Sequence, residues 1–147
     1  MPMSFRLAWH ERRVGPNQTP RRFLDFVVDG QSLYERHRQD FIGCLGWLSA
    51  NADRDAADRL LGKAPPDIED RVAIYLCPED ADLLCGAVTA RVERDGDDIV
   101  WRDTSMSGFN WSADRWEHDP FTGWPELRFD RVEYIEAIRG RPHPLSP

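Results

Sequence analysis

The stretch Gly86-Ala-Val-Thr-Ala-Arg-Val-Glu-Arg-Asp-Gly-Asp-Asp-Ile-Val-Trp-Arg-Asp-Thr104 decides the fold of this chain. Apolar and polar side chains alternate on both sides of its centre, which is the pattern of a half-buried β-strand. At the centre stands Asp95-Gly96, a dipeptide typical of the two-residue turns that join antiparallel strands. The stretch is therefore predicted to form a β-hairpin.

The register of this hairpin follows from the same residues. A turn at Asp95-Gly96 places Val92 opposite Ile99. It also places Ala90 opposite Trp101, and the four apolar side chains then share one face that can join a core. The other face is predicted to lie in solvent and carries the remaining side chains: Thr89, Arg91, Glu93, Asp98, Val100 and Arg102.

Other segments are also predicted to be strands. Residues 5–10 alternate in the same way, and residues 22–28 follow them across a turn rich in glycine and proline, so these two segments are expected to pair. Residues 72–77 form an apolar run typical of a buried strand, and residues 127–129 are a short strand candidate. The two glycines within residues 41–47 indicate close packing of two backbone segments.

Three segments have the signals of helices. Ser32 and Glu35 form a capping box that opens a helix through about residue 39. Residues 53–61 and 130–140 have apolar side chains at helical spacing, and each ends at a glycine. The fold class predicted from these elements is α+β, with a mostly antiparallel sheet of about five or six strands. Two or three helices accompany the sheet, and the C-terminal helix packs on it.

Length and composition predict one intracellular domain. The 147 residues form a single globular domain, 1–147, with a tail that frays from about residue 141. There is no run of about 20 apolar residues, so no membrane span is expected. The N-terminal residues do not follow the pattern of a signal peptide. Three cysteines are few and odd in number, which favours a reducing, cytoplasmic location.

The charge of the chain is concentrated in its second half. Residues 74–147 contain 8 basic and 15 acidic side chains, which accounts for the whole net charge of −7. Such a region repels phosphate backbones and argues against nucleic-acid binding. It would attract a basic protein partner. The sequence does not specify an oligomeric state.

Residues 104–127 have neither helical nor strand periodicity and are predicted to form a long loop. A loop of this length without regular structure is usually either functional or disordered. The many aromatic side chains of this segment argue against disorder. The candidate binding residues combine indole rings with carboxylates: Trp111, Trp116, Trp124, Asp114, Glu117 and Asp119. One interpretation is a docking surface for a protein partner. The other is a loop whose tryptophans fold back and cover the sheet.

The acidic aromatic surface favours a non-enzymatic protein-binding module, with immunity proteins and antitoxins that mask a basic toxin as plausible examples. The alternative is a small enzyme or small-molecule binder. In that interpretation His118 is the general base, with Glu117 and Asp119 as flanking acid/base groups. Cys44 or Cys77 would be a less favoured participant. The other histidines of the folded region, His10 and His37, lie among arginines on segments predicted to be exposed.

A second candidate constellation lies in Cys77-Pro-Glu-Asp-Ala-Asp-Leu-Leu-Cys85. Its opening resembles a zinc knuckle, but Asp80 stands where the second thiolate would be expected. Cys77, Asp80 and Cys85, with Cys44, are the weak candidate metal ligands. The simpler interpretation is that Cys77 ends a buried strand and Cys85 begins the next as small apolar residues. No cofactor is predicted.

The same segment carries a resemblance to known proteins. Residues 72–103, together with Phe41-Ile-Gly-Cys-Leu-Gly-Trp47, resemble a group of small actinobacterial proteins that have a fuller cysteine motif near Cys77 and Cys85. The resemblance implies that these two cysteines are remnants of a metal knuckle. It brings no activity with it.

Overall fold

The computed structural model describes residues 1–142, and these form nine strands and three α-helices. The strands are β1 (Phe5–Glu11), β2 (Arg22–Val28), β3 (Gln31–Ser32), β4 (Ile42–Gly43), β5 (Val72–Leu76), β6 (Ala87–Asp95), β7 (Asp98–Asn110), β8 (Arg115–Pro120) and β9 (Leu127–Asp130). The helices are α1 (Leu33–His37), α2 (Ala50–Leu60) and α3 (Arg131–Arg139). The predicted α+β class is confirmed, and α3 packs on the sheet as expected. No helix within residues 1–142 is long and apolar enough to cross a bilayer.

The strands form two antiparallel sheets that are joined at both ends. One sheet has the order β1-β2-β3, and the other has the order β4-β5-β6-β7-β8, with β9 also paired to β7. An isolated bridge between Leu24 and Leu45 links β2 to the segment after β4. A second bridge, between Met3 and Phe129, links the chain before β1 to β9. The strands therefore follow one another around a closed path that encloses the core.

Close backbone packing explains the two glycines after α1. A Cβ atom at Gly43 would lie 2.7 Å from the carbonyl oxygen of Leu24, and one at Gly46 would lie 2.9 Å from its amide nitrogen. Gly46 also has φ of +96°, a conformation that favours glycine. The prediction of close packing in residues 41–47 is confirmed, because only glycine lets β2 approach here.

Helices α1 and α3 begin where the sequence predicts, whereas α2 begins three residues earlier than predicted. Oγ of Ser32 accepts a hydrogen bond from the amide of Glu35 at 3.1 Å, and α1 then ends at His37, earlier than expected. Helix α2 begins at Ala50, because Oγ of Ser49 accepts from the amide of Ala52 at 3.2 Å. Helix α3 is capped by Asp130, whose carboxylate accepts from the amide of Glu133 at 2.9 Å.

The β6–β7 hairpin exists, but its predicted register is wrong by two residues. Asp95 pairs with Asp98, so the turn residues are Gly96 and Asp97, and Val92 pairs with Trp101 rather than Ile99. Gly96 has φ of +62°. A glycine with positive φ at the first turn position is typical of the type II′ hairpin, not of the type I′ turn that Asp-Gly indicates. A shift of two residues preserves the faces, so the apolar side chains still point to the core.

The outer face of this hairpin is partly buried, contrary to the prediction. A bulge lies between the Thr89–Ser105 and Arg91–Arg102 pairs, and Asp103 adopts φ of +53° there. Thr89 is fully buried, on the same face as Ser105. Val100 is also fully buried. Its cross-strand neighbours are Glu93 and Arg128, and the aliphatic stems of such ion-paired side chains cover apolar surface.

The prediction of a loop over residues 104–127 is wrong. Strand β7 continues to Asn110, and β8 pairs with it from Ser105–Pro120 to Asn110–Arg115. Most β8 side chains are exposed, and none is fully buried. An edge strand with both faces partly in water has no apolar alternation, which is why the sequence pattern missed it.

Aromatic rings fill the centre of the core. The indole of Trp101 is fully buried and meets the rings of Phe26 and Phe129 edge-on, at centroid distances of 5.2 Å and 5.1 Å. Its N–H donates to the hydroxyl of Tyr134 at 3.2 Å, and that hydroxyl donates to the carbonyl of Leu60 at 2.7 Å. These bonds fix the positions of α2 and α3 against the sheet.

The chain after α3 is anchored where it was predicted to fray. Nε of Arg141 donates to Oδ2 of Asp53 at 2.9 Å, and both side chains are largely buried. Oδ1 of Asp53 accepts from the amide of Gly46 at 2.7 Å. Arg141 is therefore held against α2. The predicted fraying of residues 143–147 lies outside the described part of the chain.

Candidate functional site

A cluster of three aromatic rings, one exposed and two half-buried, lies at the end of the β7–β8 hairpin. Trp111, just beyond β7, is 68 % exposed. Its ring lies 4.8 Å from that of Phe109, which in turn lies 5.4 Å from the ring of Trp116. Phe109 and Trp116 face each other across the strand pair, so the hairpin itself holds these rings together. We call Phe109, Trp111 and Trp116 the ring cluster.

Trp124 does not belong to the ring cluster. Its ring packs against Phe121 at a centroid distance of 5.3 Å. The guanidinium of Arg36, on α1, lies 4.9 Å from the same indole. The three candidate tryptophans thus divide into two groups, and only Trp111 and Trp116 share one.

The carboxylates of the hairpin lie on the face opposite the ring cluster. Glu117 pairs with Gly108 and Asp119 pairs with Met106, whereas Trp116 pairs with Phe109. Because side chains alternate along a strand, one face of the hairpin is aromatic and the other acidic. Met106, Gly108, Glu117 and Asp119 help to line a shallow groove of about 370 Å³.

These carboxylates have little internal neutralisation. Glu117 makes only a loose 3.5 Å contact with Arg115, and both side chains are exposed. Asp119 makes no ion pair with any residue that the structure describes. The same holds across residues 1–142 for Asp114, which lies in the hairpin turn with φ of +54°. The hairpin therefore carries the ring cluster on one face and at its turn, and unneutralised carboxylates on its other face.

His118 is engaged on both ring nitrogens, but not by its sequence neighbours. Nδ1 lies 2.6 Å from Oγ of Ser107, and Nε2 lies 2.6 Å from Oε1 of Glu69. Oγ of Ser107 is in turn 2.8 Å from Oγ1 of Thr89. Glu117 and Asp119, the carboxylates expected to orient this imidazole, are on the other face of β8. The orienting carboxylate comes instead from the turn before β5.

The order carboxylate, imidazole, hydroxyl is that of the catalytic triads of acyl-transfer enzymes. In this protein, however, the side chain of Ser107 lies on the covered face of the sheet and the residue has 0 % exposure. A nucleophile must reach its substrate, and a buried hydroxyl does not. The geometry instead describes a chain of hydrogen bonds that holds the Ile68–Arg71 turn to the edge of the sheet.

The structure brings the three candidate metal ligands together. The ligand atoms of Cys77, Asp80 and Cys85 all lie within 4.8 Å of one another. The loop is closed by a hydrogen bond from the amide of Ala81 to the carbonyl of Cys77 at 2.9 Å. Cys44 is buried and is not one of the grouped residues in the described part of the chain.

The electrostatics of this cluster do not favour a thiolate. Partial loss of hydration and the negative charge of Asp80 raise the pKa of the Cys85 thiol. The thiolate is the form that binds metal, and a structural zinc ion takes four ligands. The described residues supply three in this group. Cys77, Asp80 and Cys85 stay weak candidate metal ligands, as the sequence has them.

A buried polar cluster was not found from the sequence. Asp25 is fully buried and accepts hydrogen bonds from Ser32 Oγ at 2.5 Å and from the hydroxyl of Tyr75 at 2.6 Å, and burial raises its pKa. His37 was expected to be exposed but is buried, with its ring centroid 4.4 Å from that of Tyr75. Burial lowers the pKa of His37 to about 4. The available signal was an aspartate inside the apolar segment 22–28, since such residues are seldom buried without partners.

Comparisons with known proteins add no relatives. A scan against models of protein families, a search of curated proteins and a search of solved structures found no match to this chain. The functional argument therefore rests on the geometry of its own residues.

Proposed function

We propose that this protein is a non-enzymatic binding module that recognises a basic segment of another protein through the β7–β8 hairpin, with the ring cluster on one face and the carboxylates of Glu117 and Asp119 on the other. The single observation that carries this proposal is Trp111, which is 68 % exposed while its ring packs against Phe109. An immunity or antitoxin role, in which the module masks a basic toxin, is the kind of function that this chemistry suits.

The aromatic rings of this surface slow the dissociation of a bound partner. Large exposed rings in contact with water are typical of interaction sites. Tryptophan is also the residue most enriched among those that dominate binding free energy. Phe109 and Trp116 sit on paired strands, and Phe109 packs against the ring of Trp111 in the turn, so little conformational entropy would be lost when a partner covers the ring cluster.

The charged part supplies attraction and selectivity. Asp114 and Asp119 have no ion-pair partner among the described residues, and Glu117 has only a loose one. Clustered, unneutralised carboxylates accelerate the encounter with a positively charged partner and disfavour an acidic one. This is why the proposed partner segment is rich in arginine and lysine.

The alternative function is a small enzyme that uses His118, and one observation favours it. Glu69, His118 and Ser107 are connected in the order of a catalytic triad. The full burial of Ser107 weighs against it, since no substrate reaches the hydroxyl. Glu117 and Asp119 are also separated from His118 by the strand itself. Binding is therefore the better-supported function.

The proposal is tested by peptide selection on the folded protein. A display library of random peptides is panned against immobilised protein, and we expect the selected sequences to be enriched in Arg and Lys. The selected peptides should bind the Asp114→Asn/Asp119→Asn variant more weakly. They should bind the matched control, Asp55→Asn/Asp70→Asn, as well as the parent. Selection of neutral or acidic peptides, or equal binding to both variants, would overturn the proposal.

A further inference from the structure

A second surface of the molecule has the opposite charge. A groove of about 310 Å³ runs between α3, the C-terminal end of α2 and the β6–β7 hairpin. Its floor is apolar and contains the buried side chains of Leu60, Ile99 and Tyr134. The hydroxyl of Tyr134 already donates to the carbonyl of Leu60. The floor thus offers apolar contact to a ligand, with its polar atoms satisfied internally.

Basic side chains surround this floor. The cationic residues that line the groove are Lys63, Arg94, Arg131 and Arg139. None of the four forms an ion pair with another residue in the range 1–142. The carboxylate of Glu93 also lines the groove, but it is paired with Arg102 at 3.1 Å.

The backbone fixes where these cations stand. Lys63 follows α2 in a Schellman motif, in which its amide donates to the carbonyl of Asp58 at 2.8 Å and Gly62 adopts φ of +74°. The amide of Arg131 donates to the carbonyl of Asp97 in the hairpin turn at 2.9 Å. Arg131 and Arg139 lie at the two ends of α3, about 12 Å apart along its axis.

Outside the groove, eight of the fifteen other arginines pair with a carboxylate in the described part of the chain. Arg12, Arg102 and Arg128 each contact two or more carboxylates. Against a net charge of −7, four unneutralised cations around one concave apolar floor create a local positive potential. A low-dielectric wall beneath them focuses that potential into the groove.

We propose that this groove binds a small organic anion with an apolar body, such as an aryl or alkyl carboxylate, sulfonate or phosphate. The apolar body lies on the floor, and the anionic group is held by the cations of the rim. The volume of the groove is at the lower end of the range for small-molecule sites. Its concave shape also suits a small ligand better than it suits a protein partner. The groove is separate from the ring cluster, so the two proposals stand or fall independently.

The test uses a fluorescent anion and its neutral analogue. Anilinonaphthalene sulfonate has a sulfonate on an aromatic body and brightens when it leaves water, and phenylnaphthylamine has nearly the same body without the charge. We expect the sulfonate to bind the folded protein saturably with one site per chain. The neutral analogue should bind about tenfold more weakly, since the rim contributes charge-assisted bonds.

Two variants with the same change in charge locate the site. Lys63→Gln/Arg139→Gln removes two exposed cations from the rim and should weaken sulfonate binding about tenfold. The control Arg6→Gln/Arg54→Gln removes two exposed cations outside the groove and should leave binding unchanged. Circular dichroism confirms that each variant is folded. Non-saturable binding, equal loss in both variants, or tight binding of the neutral analogue would overturn the proposal.

Discussion

Nε2 of His118 lies 2.6 Å from Oε1 of Glu69, although 49 residues separate them in the chain. The contact spans from the turn before β5 to the outermost strand of the sheet. Glu69 is held in a left-handed conformation, with φ of +54°, to reach it. An edge strand as polar as β8 buries little surface of its own. We infer that this contact, with the bond to Ser107, keeps the hairpin and its ring cluster in place.

The first prediction concerns this tie. His118→Ala should lower the free energy of unfolding by about 1–2 kcal/mol, because the buried hydroxyl of Ser107 loses one of its two hydrogen-bond partners and keeps only Thr89. Amide hydrogen exchange should accelerate in the Ile68–Arg71 turn. Asp119→Ala, the neighbouring residue on the opposite face, should change stability by less than about 0.5 kcal/mol. If urea unfolding gives the same stability for both variants, the tie has no structural role.

The second prediction concerns the anchor after α3. Arg141→Ala should destabilise the protein by about 3 kcal/mol, because it leaves the carboxylate of Asp53 buried without its cation. Arg139→Ala is a close control, since Arg139 is exposed and has no ion-pair partner in the described part of the chain. Thermal unfolding of the two variants compares them directly. Equal midpoints would show that the buried pair contributes nothing.

The third prediction is a loss of stability in mild acid. The pKa of His37 falls from 6.5 to about 4 on folding, chiefly through burial and secondarily through the charge of Arg13. Between pH 4 and pH 6.5 the unfolded chain therefore binds more protons than the folded chain. The stability that His37 contributes by staying neutral is full above pH 6.5 and is lost as the pH falls towards 4. Its size is about 3 kcal/mol.

The variant His37→Phe isolates this effect. It keeps a ring at the buried position and removes the titration. Urea unfolding between pH 7 and about pH 4.5 should show a steeper decline for the parent than for the variant. Burial raises the pKa of Asp25, which acts in the opposite direction and is present in both proteins. If the free energy of unfolding declines equally with falling pH in the parent and in His37→Phe, the loss of stability does not come from His37.

The fourth prediction is a difference in thiol reactivity. Cys44 is buried, and burial raises the pKa of its thiol, so it should not react with an aromatic disulfide reagent until the protein unfolds. Cys85 is exposed and Cys77 is partly exposed, so two thiols should titrate in the native protein. A Cys44→Ser variant should leave the native count at two. Three reactive thiols in the folded parent would show that the core around Cys44 opens readily.

The sequence predicts elements well where one face is buried. Strand β1 has that alternation, and Phe5 faces the core as expected. The predicted apolar face of the β6–β7 hairpin also faces the core, whereas β2 is buried on both faces from Phe23 to Val28. The turn type was wrong because the same Asp-Gly dipeptide can occupy different positions of a two-residue turn. A shift of two residues preserves the hydrophobic pattern, so the pattern alone cannot detect it.

The candidate site was harder to predict. Trp111 and Trp116 were identified from composition, but their separation from Trp124 depends on a strand that has no apolar alternation. The partner of His118 was missed because Glu69 is distant in the chain and lies in a turn. The basic groove was missed because its four cations are spread from residue 63 to residue 139 in a chain whose overall charge is negative.

The affinity of a selected basic peptide for Trp111→Ala tests the central proposal most directly. Truncating a dominant interface residue costs about 2 kcal/mol, so we predict an affinity about 30-fold lower than that of the parent. Val132→Ala is the matched control, because Val132 is an apolar residue that is 58 % exposed on α3, away from the hairpin. It should bind as the parent does. Unchanged affinity in Trp111→Ala would contradict the proposed docking surface.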